Sequence, residues 1–172
     1  QTCALPISGF FEIIQSMGAD VEISKTDSVM GEPIGDVKIS YKLLSSIELG
    51  ENDIPAIIDE LPLLAVLATQ AVGITKILGA EELRVKESDR IHAVCSNLSK
   101  MGADITELRD GFIINGPTKL KGSNITTFGD HRIAMAFKIA GLISDGDNHL
   151  DDEKCIATSF PEFHQYLDIL TR

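Results

Sequence analysis

Tryptophan is absent from the 172 residues and aromatic side chains make up only 5%, so any core must be aliphatic, which the 44% hydrophobic content allows. Cysteine is scarce too. Its three copies, Cys3, Cys95 and Cys155, are odd in number, far apart and in no C-x-x-C arrangement, which points away from a disulfide framework or a zinc site. Basic charge is in the minority: 15 Lys and Arg against 26 Asp and Glu leave a net charge of −11, which argues against a general nucleic-acid or membrane-surface binder. Any basic site must be local. The longest apolar run, Leu61 to Ile74, is interrupted by Thr69, Gln70 and Gly73 and falls short of the roughly 18 residues needed to cross a bilayer. What remains is an aliphatic globular chain, expected in a reducing cytoplasm.

The chain does have one dense charged stretch, Glu82-Leu83-Arg84-Val85-Lys86-Glu87-Ser88-Asp89-Arg90-Ile91. Behind it, Ile91, Val94, Cys95, Leu98 and Met101 recur at spacings of three and four, which predicts a helix starting near Ser88 or Asp89, either of which can cap it. A helix N-terminus carries about half a positive charge, so a cation there costs about 0.3–1 kcal/mol. Yet Lys86 precedes this helix and Arg90 sits in its first turn. Two readings stand side by side. Either Glu87, Asp89 and Arg90 neutralise one another in a solvated turn, or cations and free N–H groups converge on a bound carboxylate or phosphate.

An internal repeat organises the rest. Met17-Gly18-Ala19-Asp20-Val21 and Met101-Gly102-Ala103-Asp104-Ile105 each close an amphipathic helix and open a strand. The first copy predicts a helix through Phe10, Phe11, Ile13, Ile14 and Met17, a strand at Val21–Ile23, a polar turn from Lys25 to Gly35, and a strand at Val37–Tyr41. The second predicts a hairpin, Ile105–Leu108 and Phe112–Ile114, turning at Asp110-Gly111. A third, looser amphipathic helix spans Phe160–Leu170. Between them, Leu61–Val72 and Ile133–Ile143 are apolar around most of their circumference and should be buried helices. The implied unit is strand, buried helix, strand, amphipathic helix and two strands, used about twice in a layered α/β domain.

Both buried helices open on polar residues. Asp59 can cap the first, ahead of Pro62, or can act in chemistry. Gly129-Asp130-His131-Arg132 opens the second, again with two potential cations where a helix start disfavours them. His131 is either a hydrogen-bonded structural histidine or a functional one. Lys86, Arg90, His131 and Arg132 together suit a small, multiply anionic ligand, with Asp59 and Glu87 placed to move protons. No phosphate loop, metal-spaced cluster or nucleophile elbow occurs, and no cofactor or metal is expected.

Three ordered stretches carry a resemblance: Glu81 to Arg90, Ile58-Asp59-Glu60-Leu61-Pro62, and Gly129 to Phe137, joined by Ser159-Phe160-Pro161. From Ser8 onward the chain resembles the 5-enolpyruvylshikimate-3-phosphate synthases, the shikimate-pathway family inhibited by glyphosate. The resemblance implies an inside-out α/β barrel of repeated βαβαββ units, here only partial, facing a second domain across the active-site cleft. Residues 8–172 are then the C-terminal part of a longer enolpyruvyl transferase, most of one barrel domain, whose missing N-terminal domain completes the cleft. Residues 1–7, opening on Gln1 and reading like a translated sequencing adapter, are expected to be a non-native leader.

It implies a substrate set as well: shikimate 3-phosphate and phosphoenolpyruvate, with no nucleic acid or membrane. Asp59 would bind shikimate hydroxyls and accept a proton, Lys86 would contact shikimate 3-phosphate and lie near the reacting centre as a catalytic group, and Glu87 would handle the proton at the methylene carbon. Arg90, His131 and Arg132 would bind phosphoenolpyruvate. Some members carry a lysine where this chain has Thr158, two residues before Phe160, so that charge is missing. Competing readings are a UDP-N-acetylglucosamine enolpyruvyl transferase, of the same fold and donor, and a non-catalytic anion-binding fragment.

Overall fold

The computed structural model describes residues 6–29 and 32–171. Helix α1 (Pro6–Ser16) leads into β1 (Asp20–Val29) and β2 (Glu32–Ser40). A complete unit follows: β3 (Glu48–Leu49), α2 (Leu61–Ala68), β4 (Gly73–Ile77), α3 (Arg90–Lys100), β5 (Asp104–Leu108) and β6 (Gly111–Gly116). The last run is β7 (Asn124–Ile125), α4 (His131–Gly141), β8 (His149–Leu150) and α5 (Phe163–Leu170). The expected βαβαββ order is therefore present in full once, with an αββ run before it and a βαβα run after it. Residues 1–5 of the expected leader lie outside the described residues, and Pro6 and Ile7 already belong to α1.

The repeated Met-Gly-Ala-Asp word is one helix stop used twice. Gly18 (φ 95°) and Gly102 (φ 89°) both take the left-handed conformation that glycine alone adopts cheaply. The next amide then reaches back five residues, Ala19 to the Ile14 carbonyl and Ala103 to the Leu98 carbonyl, at 2.9 Å in both copies. Met17 and Met101 beside them are fully buried.

Strands β3, β4, β6 and β5 form one sheet in that order, β3 parallel to β4 and the others antiparallel. The β5–β6 hairpin pairs Leu108 with Gly111, as the Asp110-Gly111 turn predicts. β7 and β8 pair in parallel, β1 and β2 antiparallel. Against expectation, most of Lys25–Gly35 is strand. β1 continues to Val29 and β2 starts at Glu32, with a register shift between Lys25 and Asp27 that absorbs the irregular polar sequence.

α2 and α4 are the core helices. Leu61, Leu64, Ala65, Val66 and Ala68 of α2 are at most 1% exposed, and Ile133, Ala134, Phe137 and Ala140 of α4 are sealed as well. Both are shorter at the C-terminal side than the apolar pattern suggested. Thr69 turns its hydroxyl back to the Val66 carbonyl (2.7 Å), and Gly73 at φ 108° starts the next strand, so Val72 lies outside the helix and is 55% exposed. α5 begins at Phe163 instead of Phe160 and is fastened by Phe163 packing on Ala134 and Ile156.

Candidate active site

The N-termini of α2, α3 and α4 converge on one side chain. Asp89 caps α3, accepting from the His92 amide at 3.0 Å, which starts the helix at Arg90 and turns that residue inward. Arg90 is 1% exposed. Its Nε donates to Asp130 Oδ2 (2.8 Å), Nη2 to Asp130 Oδ1 (3.3 Å) and Glu87 Oε2 (2.6 Å), and Nη1 to Asp59 Oδ1 (2.9 Å). Three segments distant in sequence are thereby tied together.

Asp130 is wholly buried and serves both sides of this junction. Besides Arg90, it accepts from the Ser88 hydroxyl (3.0 Å) and, as cap of α4, from the Arg132 amide (2.9 Å). Burial alone pushes its carboxyl pKa up, but Arg90, the Arg132 amide and Ser88 outweigh this and hold it below the ordinary value. For Arg90, burial pulls downward, and the bonds and charges of Asp130, Glu87 and Asp59 carry its pKa above the usual guanidinium value. An ionised pair in this position is strongly coupled to the fold.

The loop that delivers Asp130 is itself braced. Asn97, fully buried, pairs with Thr126 through its Nδ2 to the carbonyl (2.8 Å) and its Oδ1 from the amide (3.0 Å). Thr127 donates both its amide (2.8 Å) and its hydroxyl (2.7 Å) to Asp151 Oδ1. Phe128 (φ 57°) and Gly129 (φ 69°) then turn the chain sharply into α4. Arg84 does a similar task for the charged stretch, bonding Asp89 (2.8 Å), Glu107 (3.0 Å) and the Leu108 and Arg109 carbonyls, away from the site.

Of the two sequence readings of Glu87, Asp89 and Arg90, mutual neutralisation holds for Glu87 and Arg90, which meet at 2.6 Å, but not as a solvated turn. Arg90 is buried, not solvated, and Asp89 pairs with Arg84. Nor is the site a positive pocket: the carboxylates of Asp59, Glu60, Glu87 and Asp130 surround the guanidiniums of Arg90 and Arg132. Asp59 is not a cap. α2 starts at Leu61 with no side-chain cap, and Asp59 instead reaches Arg90 and lies 3.6 Å from Arg132 Nη2. Lys86 and His131 are half-buried and have no hydrogen-bond or ion-pair partner among the described residues. Thr158 is exposed in a short helical turn, Lys154–Thr158.

Beside the carboxylate cluster a cleft of about 250 Å³ opens, with Asp59, Glu60 and Arg132 on one side and Leu63, Met135 and Phe160 among its apolar lining. Sequence reasoning assigned no role to Asp130 or Glu60. Asp130 stood inside a highlighted word, but only its burial against Arg90 distinguishes it from a plain helix cap.

The chain and its fold have close counterparts. A family model described as EPSP synthase (3-phosphoshikimate 1-carboxyvinyltransferase) matches residues 5–167. The 3-phosphoshikimate 1-carboxyvinyltransferase of Alkaliphilus oremlandii is 48% identical over 165 residues, spanning 96% of this chain and 39% of the relative. That of Thermodesulfovibrio yellowstonii is 46% identical over 166 residues, with the same 39% share of its length. Among solved structures, EPSP synthase from Acinetobacter baumannii superposes with a TM-score of 0.89 at 40% identity, covering 94% of this chain and 38% of that one. The enolpyruvyl transferase NikO from Streptomyces tendae, 18% identical with a TM-score of 0.71, shares the α/β fold. The chain thus spans about two fifths of the length of the relatives it matches, and it belongs to the EPSP synthase family.

Proposed function

We propose that the protein to which this chain contributes transfers the enolpyruvyl group of phosphoenolpyruvate to the 5-hydroxyl of shikimate 3-phosphate, releasing phosphate. The observation that carries this reading is the convergence of Asp59, Glu87, Arg90 and Arg132 on one site, in a chain whose relatives bear that activity in their names. Residues 8–172 act as most of one barrel domain of a cytoplasmic enzyme, and the cleft is closed by a further domain. The 172 residues alone do not turn over.

The carboxylate cluster suggests how the site works. Asp130 holds Arg90 from the buried side, whereas Glu87 and Asp59, 55% and 42% exposed, hold its outer nitrogens. An anionic substrate takes over those outer donors, and the two carboxylates it displaces become available for proton transfer. In the addition step Glu87, which takes up a proton on being displaced from Arg90, delivers it to the methylene carbon of phosphoenolpyruvate, and Asp59 takes the proton of the attacking 5-hydroxyl as its oxygen bonds to C2. In the elimination step Glu87 takes a methyl proton back, the C2–O bond to phosphate breaks with the proton held by Asp59 passing to the leaving phosphate, and the enolpyruvyl ether forms. Lys86 lies against shikimate 3-phosphate, and Arg90, Arg132 and His131 bind the carboxylate and phosphate of the donor.

Assay of both acceptors with a protein completed by a relative's N-terminal half tests the assignment. Turnover of shikimate 3-phosphate supports it. Turnover of UDP-N-acetylglucosamine instead transfers the reading to the sister family.

A further inference from the structure

We propose that Glu60 is a positioning residue for Arg132, fixing which edge of that guanidinium meets an incoming carboxylate or phosphate. Arg132 stands in the first turn of α4 with its side chain 32% exposed. Its Nη1 is committed to the protein, donating to Glu60 Oε1 (3.2 Å) and the Asp59 carbonyl (3.5 Å). Its Nη2 is 3.6 Å from Asp59 Oδ2, too long for a hydrogen bond, and its Nε has no partner among the described residues. The edge left open is therefore the Nε–Nη2 side, a fork that accepts the two oxygens of a carboxylate or phosphate in parallel.

Glu60 is built to keep it so. It precedes α2, whose inward residues are sealed in the core, so its backbone has little freedom. Its second oxygen, Oε2, is buried and accepts no hydrogen bond from the described residues. A buried carboxylate oxygen without a donor is unfavourable. Glu60 therefore does not improve its own solvation here, and the only hydrogen-bond or ion-pair partner of its side chain among the described residues is Arg132, held by Oε1. Without that hold, the nearest carboxylate for Arg132 is Asp59, already bonded to Arg90. Arg132 then closes onto Asp59, the open edge is lost, and Asp59 is pinned between two cations. Glu60 keeps the anion-binding arginine and the proton-accepting carboxylate apart, a role that rests on the function proposed above.

The test uses the chain completed by a relative's N-terminal half and labelled with ¹⁵N, reading the arginine Nε–H signals without ligand and during titration with phosphoenolpyruvate, in the parent protein (wild type at position 60), Glu60→Gln and Glu60→Ala. Glutamine keeps the oxygen acceptor; alanine removes it. The Arg132 signal is expected to move in Glu60→Ala and not in Glu60→Gln, with Arg90 unchanged in both. The phosphoenolpyruvate dissociation constant read at Arg132 is expected to rise about tenfold in Glu60→Ala and less than about threefold in Glu60→Gln. Identical Arg132 signals and affinities in wild type and Glu60→Ala overturn the proposal, as does equal loss in both variants. If phosphoenolpyruvate moves no arginine signal in wild type while Glu60→Ala still shifts Arg132, the substrate assignment fails and the positioning role stands.

Discussion

Asp130 and Arg90, forty residues apart in sequence, form a buried ion pair at 2.8 Å that joins the start of α3 to the start of α4. Neither is more than 1% exposed, so removing Arg90 strands a charge in the interior, and removing Asp130 leaves the buried guanidinium with only the partly exposed carboxylates of Glu87 and Asp59. Asp130→Ala is expected to destabilise the fold by about 3–5 kcal/mol, read from the urea midpoint. Conserved stability in that variant would mean that Arg90 finds another partner and that the junction is not what orients it.

Acid should weaken the fold through the same group. Asp130 and Asp151 both have pKa values below the ordinary carboxylate range, Asp151 because its bonds from Thr127 outweigh the effect of burial. With the folded values below the unfolded ones, their stabilisation is complete above about pH 4 and disappears as pH falls through the depressed values. Urea midpoints measured downward from pH 7 are expected to hold to about pH 4 and then drop. Asp151→Asn should flatten part of that drop.

On the alkaline side Cys95 contributes most clearly, with Cys155 raised in the same direction by burial. Burial, with a smaller push from Glu107, raises the Cys95 thiol pKa to about 12. The unfolded thiol ionises near pH 8.5, so above that pH the unfolded state is favoured and stability declines as pH rises. Alkylation of Cys95 by iodoacetamide at pH 8 is expected only when the chain unfolds. Rapid labelling of the native chain at Cys95 would contradict its 5% exposure.

Gly102 gives a test of the repeat. A Cβ there meets no atom within 4 Å, so Gly102→Ala carries only the backbone strain of φ 89°. The expected loss is about 1–2 kcal/mol by thermal or urea unfolding. No loss would mean that the helix stop does not depend on its left-handed residue.

How much was legible in the sequence follows from which interactions are local. Helix periodicity, the Asp89 cap, the hairpin turn at Gly111 and the repeated Gly18 and Gly102 stops are all decided within a few residues, and they read correctly. The two strands were expected at Val21–Ile23 and Val37–Tyr41, but the extension of β1 and β2 through the polar stretch between them escaped, because that stretch has no strand pattern and is held by cross-strand pairing alone. The residues proposed for the site stood out as words, but their charge balance was misread. The inverted cations at helix starts suggested a positive pocket, whereas Arg90 is neutralised by Asp59 and Asp130, which lie 31 and 40 residues away. Glu60 was invisible for the same reason: its partner Arg132 is 72 residues distant.

The central claim is that the carboxylates around Arg90 become the proton-transfer groups when substrate arrives. It is tested most directly by phosphate release from phosphoenolpyruvate, with and without shikimate 3-phosphate, in the chain completed by a relative's N-terminal half, alongside Glu87→Gln. The account predicts release that requires shikimate 3-phosphate and falls about 10²–10⁴-fold in Glu87→Gln, because the amide can still pair with the site but cannot carry the proton. Release from Glu87→Gln at the parent rate would contradict it.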